Sequence, residues 1–148
     1  MFQNQEGFMV KYQKSKPHNP LVQIGAMKSF YPSFEAIERN NSEIEFVGVL
    51  QVLPELPIYT VSITYDGDTR PKVKVIKPEL VENPPHCFPG TKNLCLYHRD
   101  NYHWTGAKLI AKDIVPWIAA WIYFYEAWKQ TGIWYGPEVS HSTLKEES

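Results

Sequence analysis

Three short runs in the first half of the chain alternate apolar and polar residues at a period of two. Residues 43–53 set Ile44, Phe46, Gly48, Leu50 and Val52 against Glu45, Val47, Val49 and Gln51, the pattern of a strand with β-branched residues. Pro54 and Pro57 bracket a turn, and residues 58–65 follow as a second strand. Asp66-Gly67-Asp68 is a turn signal. Between Pro71 and Pro78, Val73 and Val75 alternate with Lys72 and Lys74, and Lys77 lies beyond. That predicts a third strand with a charged outer face. Such short links join spatial neighbours, so the expectation is an antiparallel meander. Residues 34–39 are a further candidate strand ahead of it.

Helices are expected on either side. Asn19-Pro20 reads as a helix start: Asn can accept from an orphan N–H, and proline at the first position lacks only a donor that would be unpaired there. Leu21, Ile24, Met27 and Lys28 extend a short amphipathic helix that Pro32 should end. Residues 80–102 contain Pro84, Pro85, Pro89 and Gly90 and show no regular period. This predicts a long loop, and long loops in compact domains tend to carry function. Thr105 is expected to cap a short helix through Leu109 and Ile110, and Asp113 to cap the next, with Pro116 in its first turn. Ile114, Trp117, Ile118, Trp121, Ile122, Tyr125 and Trp128 fall at three- and four-residue steps. Lys129 and Gly132 mark the end of that helix, and Trp134-Tyr135-Gly136 is expected to pack back. The fold class is α+β, one domain over 1–148, with a loose lead-in at 1–18 and a charged tail at 142–148.

Composition narrows the function. A length of 148 residues suits one domain with a real core. Net charge is −1, so no bulk attraction to nucleic acid or membrane is expected. The longest apolar run, 114–125, is too short to span a bilayer and reads as a buried helix. With two cysteines and no signal-peptide run at the start, the expectation is a cytoplasmic protein with reduced thiols. No cofactor is implied.

The candidate chemistry lies in the long loop. Cys95 stands between Leu94 and Leu96-Tyr97. It reads either as a small buried hydrophobe or as a nucleophile, since a thiolate attacks acyl groups well at neutral pH. His86, nine residues upstream, reads either as a loop anchor hydrogen-bonded to backbone or as a proton-transfer partner. Cys87, Cys95, His98 and His103 offer the two-Cys, two-His set that zinc takes, but their spacing matches no finger pattern. Trp117, Trp121, Trp128 and Trp134 look like a stacking platform. Such platforms come with a basic groove, so these residues are assigned to packing.

A strand at Pro71-Lys72-Val73-Lys74-Val75, a turn at Pro85-His86 and the segment Asn93-Leu94-Cys95-Leu96 stand in that order between a meander and a helical region. This order resembles the ubiquitin-conjugating enzyme (UBC) fold. There a Pro-Pro-x-Val-x-Phe strand leads to a His-Pro-Asn turn, and the catalytic cysteine follows in an Ile-Cys-Leu setting. Further residues extend the match: Leu80, Tyr97, Trp104, Pro116-Trp117, Trp121, Tyr125-Glu126, Trp128, Thr131-Gly132, Trp134 and Gly136. Over residues 43–141 the chain resembles the bacterial ubiquitin-conjugating-enzyme-like proteins of CBASS antiphage defence. The resemblance implies a thioester at Cys95, with His86 beside it, and passage of the acyl group to an amine. The implied partner is a cGAS-like nucleotidyltransferase or a ubiquitin-like protein, with a separate activating enzyme as a further one. The chain carries no Gly-x-Gly-x-x-Gly of its own. One departure stands out: the His-Pro-Asn turn reads His86-Cys87-Phe88 here. The oxyanion donor is therefore open among Asn83, Asn93, Asn101 and backbone N–H groups. A binding module of the same fold that does no chemistry, or a small zinc-stabilised interaction domain, are the other readings.

Overall fold

A computed structural model of the chain describes residues 18–39, 43–98 and 101–138. The charged tail and all of the lead-in before His18 lie outside the described residues. Helix α1 (Pro20–Phe30) starts as expected: the Asn19 side chain accepts from the Leu21 N–H at 2.8 Å, and Pro20 follows it. It buries only Gln23 and Met27. Gln23 is a buried amide with both ends used. Its Nε2 donates to the Lys108 carbonyl at 2.8 Å, and its Oε1 accepts from the Ile110 N–H at 3.1 Å. The pair ties α1 to the entry of the last helix and satisfies groups that would otherwise be orphaned on burial.

The meander forms. Strands β1 (Glu35–Glu38), β2 (Ile44–Leu50), β3 (Tyr59–Tyr65) and β4 (Lys72–Lys77) make one antiparallel sheet in the order β1-β2-β3-β4. Phe46 lies opposite Ile63, and Ile63 opposite Val73, so one face presents a continuous apolar row. Asp66 closes the β3–β4 turn by accepting from the N–H groups of both Asp68 and Thr69 at 2.8 Å. Gly48 must be glycine for a local reason. A Cβ there would fall 2.3 Å from the Phe34 ring, which lies over the strand.

The entry to the last helix departs from expectation in two ways. Thr105 caps no helix; its carbonyl closes a single turn to Lys108 at 3.0 Å. A π-helical turn, Ile110–Ile114, then runs straight into helix α2 (Val115–Thr131). Asp113 does not cap α2, because its carboxylate accepts from the Tyr102 hydroxyl at 2.8 Å. The π turn makes a side-chain cap unnecessary. Its own carbonyls take the first N–H groups, Leu109 O from Lys112 and Asp113, and Ile110 O from Val115. At the other end Gly132 adopts φ 78° and closes the helix onto Trp128, a left-handed position that glycine takes without strain.

The core lies between the sheet and α2. Phe46, Val61, Ile63, Ile110, Ile118 and Ile122 are fully buried, and Trp121 and Tyr125 nearly so. One carboxylate, Glu126, is buried with them; it accepts from the Tyr59 hydroxyl and meets Lys129 at 3.4 Å. Burial, reinforced by Glu126, holds the Tyr59 phenol protonated well above its ordinary range. Among the described residues no helix is long and apolar enough to cross a membrane.

Candidate active site

Among its described residues, the loop from 78 to 109 has one small piece of ladder. Cys87 and Leu94 form an antiparallel bridge, and the Phe88 N–H donates to Asn93 at 2.9 Å. The turn between them closes with the Lys92 N–H on the Phe88 carbonyl at 2.7 Å. Leu94 then donates to the Val73 carbonyl at 2.8 Å, which fastens this hairpin to β4. Cys95 is the next residue, so its position follows from a strand edge rather than from a helix.

His86 is where the loop is pinned. Its φ is 52°, in the left-handed region that His, Asn and Asp enter more readily than most residues. In that conformation its carbonyl accepts two hydrogen bonds, from the Cys95 N–H at 3.0 Å and from the Trp121 Nε1–H at 3.0 Å. The first fixes the backbone of the candidate nucleophile, and the second fixes both to α2. The imidazole is buried against Trp134, with ring centres 4.5 Å apart, and its Nε2 lies 3.3 Å from the Glu138 carboxylate. Burial lowers the His86 pKa, and Glu138 opposes that shift.

The two cysteines differ in setting, although both are buried and neither is in a disulfide. The Cys87 thiol points at its own hairpin, 3.4 Å from the Lys92 carbonyl. Cys95 lines a shallow pocket with Arg70, Lys72, Phe88, Asn93 and Tyr97. Of the three candidate asparagines, Asn83 and Asn101 are exposed, and Asn93 is buried at this pocket. Among the described residues, no group of three or more His, Cys, Asp or Glu side chains is placed to hold a metal ion.

Several of these residues carried no signal in the sequence. Trp121 and Trp134 read as packing, and they do pack, but each also holds His86. Lys72 read as part of a charged strand face and Arg70 carried no assignment, with nothing to say that the loop would return beside them. Glu138 follows the turn at Trp134-Tyr135-Gly136, and that turn is set by contact. A Cβ on Gly136 would sit 2.6 Å from the Phe124 ring.

A family model described as "Type II CBASS E2 protein" matches residues 23–142. That span runs from the Gln23 clamp through the loop and α2 to beyond Glu138. A search of curated proteins found no match.

Proposed function

The chain belongs to the type II CBASS E2 proteins, and on that premise we propose that it carries an acyl group as a thioester on Cys95 and passes it to an amine. The observation that supports this most is the contrast between the cysteines: Cys95 lines the pocket, and Cys87 is turned into its hairpin. The donor must arrive activated, because a free carboxylate does not acylate a thiol. The Cys95 thiolate adds to the activated carbonyl, and the activating group leaves. An amine nitrogen then adds to the thioester carbonyl, the C–S bond breaks, the thiolate is regenerated and the amine proton goes to solvent. Both steps pass through a tetrahedral oxyanion, which needs a nearby donor. Asn93, buried at the same pocket, takes that role in place of the asparagine missing after His86. His86 acts as a positioning residue through its carbonyl, rather than as the proton carrier.

The donor is the C-terminus of a cGAS-like nucleotidyltransferase or of a ubiquitin-like protein, delivered by a separate activating enzyme. The chain with activated donor should give an adduct that thiol reductant removes. Cys95→Ser should lose that thiol-labile adduct and Cys87→Ser should keep it; the reverse result would move the nucleophile to Cys87. One observation favours a binding module without chemistry: Cys95 is only 6% exposed. That reading expects Cys95 to resist alkylation in the folded chain and no adduct with any activated donor.

A further inference from the structure

The pocket that holds Cys95 is cationic. Arg70 and Lys72 flank it, Arg70 over the Tyr97 ring at 5.6 Å from its centre. Among the described residues no carboxylate lines it. The chain as a whole carries a net charge of −1, so this is a local excess of one sign where the rest is balanced. Lys72 is the first residue of β4, the strand to which the Leu94 N–H fastens the cysteine segment, and Arg70 lies two residues before it. The place of Lys72 relative to Cys95 is therefore set by a sheet edge, and Arg70 is held close by the start of that strand. The rest of the lining includes the aromatic rings of Phe88 and Tyr97.

Resting on the thioester reading, we propose that Arg70 and Lys72 form a selectivity site for the donor. They take an acyl donor whose C-terminal tail carries carboxylate side chains just before the residue being transferred, and they disfavour a basic tail. As the donor carbonyl reaches the Cys95 sulfur, the preceding residues must leave past the pocket rim, where the two cations stand. Opposite charges there favour the encounter and hold the tail during attack; like charges oppose it. Arg70 is the better placed for a carboxylate, because its planar fork can donate to both oxygens while it lies over the Tyr97 ring.

The test uses synthetic peptide α-thioesters as activated donors, identical except for two Glu, two Gln or two Lys just before the acyl residue. Acylation of Cys95 in the full chain should run in the order Glu, Gln, Lys, with roughly three- to tenfold between neighbours, the scale of partly exposed charge pairs. Arg70→Glu with Lys72→Glu should reverse the order, its fold checked by melting temperature. If that variant does not fold, salt replaces it. Raising ionic strength from about 0.1 M to about 1 M shrinks the screening length from about 10 Å to about 3 Å and should erase the order in the native chain. Equal rates for all three peptides, with the label confined to Cys95, would overturn the selectivity site and leave the thioester reading intact. Fluorescent carboxylate-ended peptides of the same sequences, titrated into Cys95→Ser, read binding without chemistry. Tighter binding of the Glu peptide there, with no acylation of the native chain, would keep the anion site and sink the thioester. Equal binding together with no acylation would sink both.

Discussion

Between β2 and β3 every residue from Ile44↔Tyr65 to Leu50↔Tyr59 faces a partner in unbroken register. Across the described residues of 78–109 most of the backbone is held by isolated bonds, and two of these involve side chains of α2. Trp121 reaches the His86 carbonyl, and the Tyr125 hydroxyl accepts from the Val81 N–H at 2.8 Å, so one helix both gives to and takes from the loop. A ladder is redundant: losing one rung leaves its neighbours in place. A pinned loop is not, because each bond fixes a stretch with no other regular support. A substitution in the sheet should therefore lower stability without a specific effect on chemistry. A substitution at a loop pin should cost less stability and act selectively on the chemistry.

The largest effect is expected on the sheet side. Phe46 is fully buried opposite Ile63. Phe46→Ala should cost about 3–5 kcal/mol of unfolding free energy, the usual range for emptying such a site. Chemical denaturation measures it. The variant that remains folded should show acylation and transfer rates per folded molecule close to the parent. A selective loss of transfer would mean that the sheet, too, sets the geometry at Cys95.

Next comes His86. His86→Ala keeps the carbonyl that binds Cys95 and Trp121 but places alanine at φ 52° and empties the stack on Trp134. A stability loss of roughly 1–3 kcal/mol is expected from strain and lost packing, with a larger loss in transfer to amine than in acylation. His86→Asn separates the causes, since asparagine tolerates the left-handed region. If Asn restores transfer while Ala does not, the backbone conformation is what matters. Single-turnover discharge onto a free amine reads this. Equal losses in both variants would move the role to the ring.

Smaller in stability, yet more telling, is Trp121→Phe. It keeps an aromatic ring in the core but removes the Nε1–H donor to His86 together with part of the buried indole. The His86 carbonyl still accepts from Cys95, so the lost bond should cost about 1 kcal/mol, with the lost ring volume adding to it. A misplacement of ~1 Å at the reacting centre can cost on the order of a hundredfold in rate. A fall in transfer well beyond the stability change would mark Trp121 as a pin of the active loop. A fall that merely matches it would reduce Trp121 to a core residue.

The same contrast decides what could be read from the chain. The meander was legible because its signal is local: Ile44, Phe46 and Gly48 point one way by period alone, and the short links leave one topology. The start of α1 was legible because Asn19-Pro20 carries its own cap. Asp113 misled because a good capping residue is also a good acceptor, and Tyr102, distant from it in the fold's logic though not in sequence, claims it. At the site, Cys95 and His86 stood out by residue type, but the bond that joins them runs from one backbone to the other and leaves no mark on side-chain identity. The cationic rim was hidden for the same reason. Lys72 belongs to a strand pattern, and only the return of the loop to Val73 makes it part of a pocket.

The smallest expected effect concerns Glu138, and it tests whether the tail end of the fold supports the pin. Burial holds His86 below its ordinary pKa of 6.5, and Glu138 pulls it partly back. In the unfolded chain a histidine takes up a proton near pH ~6.5; in the folded chain His86 does so only at lower pH. Below ~6.5 the unfolded state therefore binds more protons, and stability must fall as pH falls, down to the folded value. The carboxylates with lowered values act in a lower window. Glu45 is held by Ser62 and Arg39, and at Asp66 burial is outweighed by hydrogen bonds from Asp68 and Thr69. Their contributions begin to fade only near 4.5 and 3.8. Between pH ~7 and ~5 the denaturation midpoint of the native chain should thus drop, and His86→Gln should flatten that drop. Glu138→Gln removes the group that favours the charged ring, so its curve should fall more steeply than the parent's. The difference should be small, because the Glu138 side chain is 77% exposed and salt screens it. A proton titration of the His86 ring by NMR reads the same quantity directly and should move to lower pH in Glu138→Gln. Superimposed curves for parent and variant would remove Glu138 from the support of His86 and leave the stack on Trp134 to hold the ring alone.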